Sequence, residues 1–82
     1  MNDEERLMAK IIGEYIASLR WEKRIKQYRL AQKTGIPLRS LRVIEKGEVD
    51  VSARLLSKIV NELGEDMGDF WKKVEKNMKV MR

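Results

Sequence analysis

Apolar residues recur along this chain at intervals of three and four, the period of a helix with one buried face. Leu7, Ile11, Tyr15 and Leu19 form one such stripe, with Met8, Ile12 and Ile16 beside it. Asp3, Glu4 and Glu5 precede it, the charge that a helix N-terminus favours, so a first helix is predicted from near Asp3 to about Arg24. A second runs from about Gln27 to Thr34, with Leu30 and Ala31 inward. Gly35 then supplies the left-handed backbone conformation that ends a helix in a tight turn. A third helix begins near Pro37 or Leu38, where proline's missing N–H has no intrahelical partner anyway, and ends at Gly47. Residues 48–51 read as a loop. Ser52 is placed to cap a fourth helix to about Leu63, with Leu55, Leu56, Ile59, Val60 and Leu63 along it and Gly64 at its end. A last amphipathic helix, about 66–82, carries Met67, Phe70, Trp71, Val74, Met78 and Met81 on one face and Lys72, Lys73, Lys76 and Lys79 on the other. No segment shows the alternation of a strand. The predicted architecture is all-α, a compact five-helix bundle forming a single domain over residues 1–82.

Composition narrows the chemistry. The 82 residues include no cysteine and no histidine. Disulfides and thiolate metal sites are therefore excluded, and the usual imidazole base and nitrogen ligand are missing. Ser18, Ser40, Ser52 and Ser57 have no histidine to activate them. Glu45, Glu48 and Asp50 do not have the spacing of a calcium loop. Glu65 and Asp66 sit where a helix dipole accounts for them. No enzyme, cofactor or metal is expected. The acidic N-terminus is unlike a secretory signal, and no apolar run approaches a membrane span. A cytoplasmic protein is expected.

Net charge is +5, and its distribution says more. From Arg20 to Lys46 there are nine lysines and arginines against two acidic residues; from Gly47 to Trp71 there are two against six. The basic block coincides with the second and third predicted helices. Clustered cations are the electrostatic footprint of a nucleic-acid partner, although a solvated helix face looks the same by charge alone.

The spacing within residues 27–47 separates these readings. A helix-turn-helix needs a small residue where its helices cross, a glycine in the turn, and apolar residues that pack the second helix back on the first. Ala31, Gly35, and the pair Leu41 and Ile44, with Ile36 closing the turn, meet these demands together. An ordinary helical hairpin is the alternative.

The segment from about Ile12 to Leu63 resembles the phage repressor/Cro-type (Xre-like) helix-turn-helix family. The resemblance rests on Leu19-Arg20, Gln27 with Leu30-Ala31, Gly35-Ile36, Leu41, Ile44-Glu45-Lys46-Gly47, and Leu56 with Ile59. It implies a lambda-repressor-like DNA-binding fold and a homodimer on operator DNA, in a prokaryotic, phage or plasmid setting. It further implies that Arg20 and Glu45 form a salt bridge, that Gln27 meets a phosphate, and that Lys46 touches the backbone. Leu38, Arg39, Arg42 and Val43 match base-facing positions. Arginine grips guanine O6 and N7 in a bidentate manner, and Leu38 or Val43 suits a thymine methyl. The alternative for each arginine is a solvated surface side chain. Lys26, Arg29, Lys33 and Ser40 are further phosphate candidates, with Lys23 and Arg24 in the same group.

Two departures stand out. Pro37 occupies a position where the family usually has Ser or Thr, so a cap and a phosphate contact are in question there. Trp21 stands where an exposed polar residue is common, and packing into the core or partial burial is expected of it. In the last helix, Met67, Phe70 and Trp71 are expected to complete the core, while Val74, Met78 and Met81 extend beyond it. Phe70, Trp71, Val74 and Met78 are candidate dimer contacts, with packing on the first helix as the paired reading. A membrane surface or a separate protein partner is the alternative for that helix. The expected function is a sequence-specific regulator of transcription, a repressor, reading duplex DNA with its third helix. The competing reading is an antitoxin or a protein-interaction adaptor on the same scaffold.

Overall fold

The computed structural model describes residues 1–81. Its elements are α1 (Asp3–Glu22), α2 (Gln27–Thr34), α3 (Leu38–Glu45), α4 (Ala53–Glu62) and α5 (Met67–Met81), with no strand among the described residues. All five predicted helices are present. The first ends two residues before the expected Arg24, and the last position expected for α5, Arg82, lies outside the described residues.

Local chemistry sets the helix ends. Asn2 and Glu5 form a reciprocal capping box at α1: the Glu5 amide donates to Asn2 Oδ1 at 2.8 Å, and the Asn2 amide donates to Glu5 Oε1 at 3.0 Å. Ser52 Oγ accepts the Leu55 amide at α4, and Asp66 Oδ2 accepts the Asp69 amide at α5. Four helices end in one motif, in which a left-handed residue lets the next amide reach a carbonyl five positions back. These bonds run from Ile25 to Arg20, Ile36 to Ala31, Glu48 to Val43 and Glu65 to Val60. Glycine supplies the left-handed residue three times, at positions 35, 47 and 64. In α1 it is Arg24, at φ 56°.

α1 packs on α3 and α5, α2 packs on α3 and α4, and α4 on α5. One continuous core results. Ile16, Leu30, Leu41, Ile59, Val60, Leu63, Phe70 and Val74 are its fully buried side chains. Thr34 is the one buried polar side chain among the described residues, and its hydroxyl donates to the Leu30 carbonyl at 2.8 Å. Tyr15 meets the Phe70 ring edge-on at 5.3 Å. Lys73 Nζ lies 5.6 Å above the Tyr15 ring and donates to Glu65 Oε1 at 3.1 Å, closing the α4–α5 corner over α1. The hydrogen bond to Glu65, joined by Tyr15, raises the Lys73 pKa above its ordinary 10.5.

Of the two paired readings of the last helix, the structure has α5 packed on α1, which corrects the choice of three of the dimer candidates. Phe70, Val74 and Met78 are buried within this chain's own core, so they offer no surface to a second copy. The apolar stripe of the 20-residue α1 needs cover along its length, and α5 provides it together with α3. Trp71 alone of the four dimer candidates is half-buried at the edge, in a groove with Met8 and Lys79. Trp21 is corrected as well. It is 73% exposed, because α1 turns its Leu19 face inward and the chain leaves for α2 before any element covers Trp21. Its ring instead lies 5.8 Å from the Arg20 guanidinium.

Candidate nucleic-acid interface

α2 and α3 are eight residues each, joined by Gly35, Ile36 and Pro37. Ala31 is buried at their crossing, and Gly35 takes φ 74°, as the tight turn requires. Leu41 and Ile44 enter the core and Ile36 is half-buried over the turn. Pro37 is the N-cap of α3 and gives it no side-chain hydrogen bond.

With Leu41 and Ile44 committed inward, helical geometry turns Arg39, Arg42 and Lys46 outward, three and four positions apart. All three are exposed, as is Ser40. Leu38 and Val43 are half-buried at the borders of this face, near enough to it to offer apolar atoms. Lys26, Arg29 and Lys33 are exposed along α2. None of these six cations forms an ion pair among the described residues. The same surface therefore carries an uncompensated positive field, which strengthens attraction to a polyanion. The loop after α3 departs from this pattern. Glu48, Val49 and Asp50 are exposed there, so its charge is acidic and one valine meets solvent.

Arg20 and Glu45 tie the interface to the rest of the fold. Arg20 Nε donates to Glu45 Oε2 at 2.9 Å, and its terminal nitrogens donate to Glu45 Oε1 at 3.1 Å and to the Ile25 carbonyl at 3.0 Å. The side chains are 12% and 6% exposed, so this fork is largely dry. Gln27 Nε2 donates to the same Glu45 Oε1 at 3.0 Å. The Gln27 amide nitrogen expected at a phosphate is thus engaged inside the protein. Sequence reasoning had no signal for that bond, because it joins the first residue of α2 to the last of α3 across the turn.

The structure brings the base-facing and phosphate candidates onto adjoining surfaces of two helices. It leaves the α5 candidates elsewhere, with α5 against α1 and α4. No group of three or more metal-ligating side chains occurs among the described residues, and no helix of the described chain is long and apolar enough to cross a membrane.

Two short helices at a glycine turn, the second exposing arginines and anchored through Glu45, define a helix-turn-helix DNA-binding protein. Residues 16–70 match the Xre/Cro-like helix-turn-helix family, and the chain belongs to it. No curated protein matches the sequence. Two crystal structures of the clp gene regulator ClgR from Corynebacterium glutamicum share the fold. One superposes with a TM-score of 0.83 at 23% identity, covering 90% of this chain and 79% of that chain. The other gives 0.80 at 24% identity, covering 87% of this chain and 91% of that chain. Membership of the family makes this chain a DNA-binding regulator.

Proposed function

We propose that this protein is a sequence-specific repressor that occupies a duplex operator with α3 in the major groove. The observation that carries the reading is the outward face of α3, where Arg39 and Arg42 are exposed without an ion-pair partner among the described residues. A helix fits the major groove, and such arginines are the common readers of guanine there. Lys26, Arg29, Lys33, Ser40 and Lys46 supply phosphate contacts, hence affinity with a steep salt dependence. Gln27 approaches the backbone through its main chain, since its side chain is held by Glu45. A homodimer meets a palindrome, with Trp71 and the exposed Val80 and Met81 of α5 as its apolar contacts in place of Phe70, Val74 and Met78. The solved relatives of this fold are called gene regulators, which agrees with the reading. Such a protein acts in the cytoplasm, where the DNA is.

Selection of bound sequences from a random duplex library at about 150 mM salt, where nonspecific attraction is already weakened, tests it. A palindromic motif is expected. Arg39→Ala and Arg42→Ala should each cost about 1–3 kcal/mol on that operator and less on random DNA. Equal losses on both would sink the base-reading role. Recovery of no motif, with a stoichiometric protein complex surviving high salt, would favour the antitoxin or adaptor reading.

A further inference from the structure

Gly13 lies at the middle of α1, a 20-residue helix, and is buried. A glycine there is locally unfavourable, since it weakens the helix and packs no side chain. Space explains it. A Cβ at this position would overlap the Ile44 carbonyl oxygen and stand 2.7 Å from that of Glu45. Both obstacles are backbone atoms of the last turn of α3, so no side-chain rotation relieves them.

Two further contacts fall on the same stretch. Gly47, just past α3, has φ 72°, and a Cβ on it would stand 2.5 Å from Lys10 Cα, three residues before Gly13. Arg20, two turns after Gly13, holds Glu45 through its fork. Lys10, Gly13 and Arg20 follow one another along α1, and all three meet residues 44–47. The other end of α3 is held less closely. Its N-cap gives no side-chain bond, and Arg39 and Val43 border an open groove with Val49, Val51 and Leu55.

We propose that Gly13 is a positioning residue of the recognition helix: it lets the α1 backbone rest against the final carbonyls of α3, and so sets where Arg39 and Arg42 stand over the bases. The inference rests on the reading of α3 as the base-reading helix. A wedge at Gly13 pushes on Ile44 and Glu45, and a rigid helix carries that displacement to Arg42 and Arg39. Bidentate contacts tolerate little displacement, whereas flexible lysines still reach phosphates.

The test compares Gly13→Ala and Gly47→Ala with Val74→Ala, a core truncation in α5. All three are made in an Arg24→Gly background, which relieves the left-handed arginine, and are compared with that background alone. Two readouts are taken: the NMR signals of the Arg20 Nε–H and the α3 amides, and the ratio of operator to random-duplex affinity for the sequence selected above. In the two glycine variants the signals should move and the ratio should fall by about tenfold or more, the scale of one lost bidentate contact. Val74→Ala should lower the melting temperature and keep the ratio. Unmoved Arg20 and α3 signals in Gly13→Ala overturn the proposal without reference to DNA. Moved signals with an unchanged ratio overturn the link to base reading. An equal fall of the ratio in Val74→Ala shows a general effect of instability and also overturns it. Absence of operator preference in the unaltered chain marks failure of the functional reading itself.

Discussion

Arg20→Met should be among the most damaging single substitutions in this chain. The Glu45 carboxylate is 6% exposed and receives three donors, two from Arg20 and one from Gln27. Removing Arg20 leaves a charge in a nearly dry site with one neutral amide for company. Breaking such a pair costs about 3–5 kcal/mol. Total stability for a domain of this size is on the order of 4–12 kcal/mol, so roughly a quarter or more of it is at stake. At about 4–8 °C per kcal/mol, the melting temperature should fall by more than about 12 °C. Arg20→Lys should fall between, since lysine keeps the charge but cannot form the fork. The double variant Arg20→Met/Glu45→Leu should recover most of the loss, because removing both partners also removes the buried charge. The assay is thermal and urea unfolding of the unaltered chain, Arg20→Met, Glu45→Leu and the double variant, a double-mutant cycle, with Arg20→Lys measured beside them. A loss below about 1 kcal/mol for Arg20→Met would place the pair with exposed salt bridges and refute the argument from burial. An additive double variant would refute the coupling.

Two further outcomes follow from helix ends and from the α5 corner. Arg24→Gly should stabilise the chain by about 1 kcal/mol, since glycine adopts φ 56° without the Cβ contact that opposes it in arginine; a loss of stability in urea titration would mean that the Arg24 side chain contributes contacts worth more than the strain. Lys73, whose pKa is raised above 10.5 by Glu65 and Tyr15, stabilises the fold fully at pH below its unfolded value. That contribution disappears as pH rises through the higher folded value. Lys73→Met should therefore flatten the alkaline limb of stability measured above about pH 10, and an unchanged limb would assign that loss of stability to other groups.

Much of the fold was legible because its signals are local. The stripe from Leu7 to Leu19, Gly35 and Gly47 after their helices, and the Ser52 cap each state a preference within a few residues. Three of the five helix starts, those of α1, α4 and α5, carry a side-chain cap. The candidate interface was legible for a related reason. Once Leu41 and Ile44 are inward, the helical period alone puts Arg39 and Arg42 outward. What was not legible depends on distance in the chain. Phe70, Val74 and Met78 read equally well as core or as a contact for another copy, because periodicity gives a face and not its cover. Trp21 looked like core material, and only the path of the chain out of α1 leaves it in solvent. Gly13 carried no visible signal, since a mid-helix glycine means something only when the neighbouring carbonyls are known.

The sequence by itself determined which segments are helical, which face of each is apolar, where the turns fall and where the positive charge collects. These follow from backbone propensity and from a period of 3.6 residues, both short-range. Tertiary structure alone decided that α5 spends its apolar face on α1 and α4, that Gln27 and Arg20 converge on Glu45, and that the backbone of α1 touches the end of α3. Those are outcomes of packing, in which residues as far apart in sequence as Tyr15 and Phe70 come into contact. Excluded volume and desolvation, acting on the whole chain at once, select one arrangement among the several that the local pattern permits.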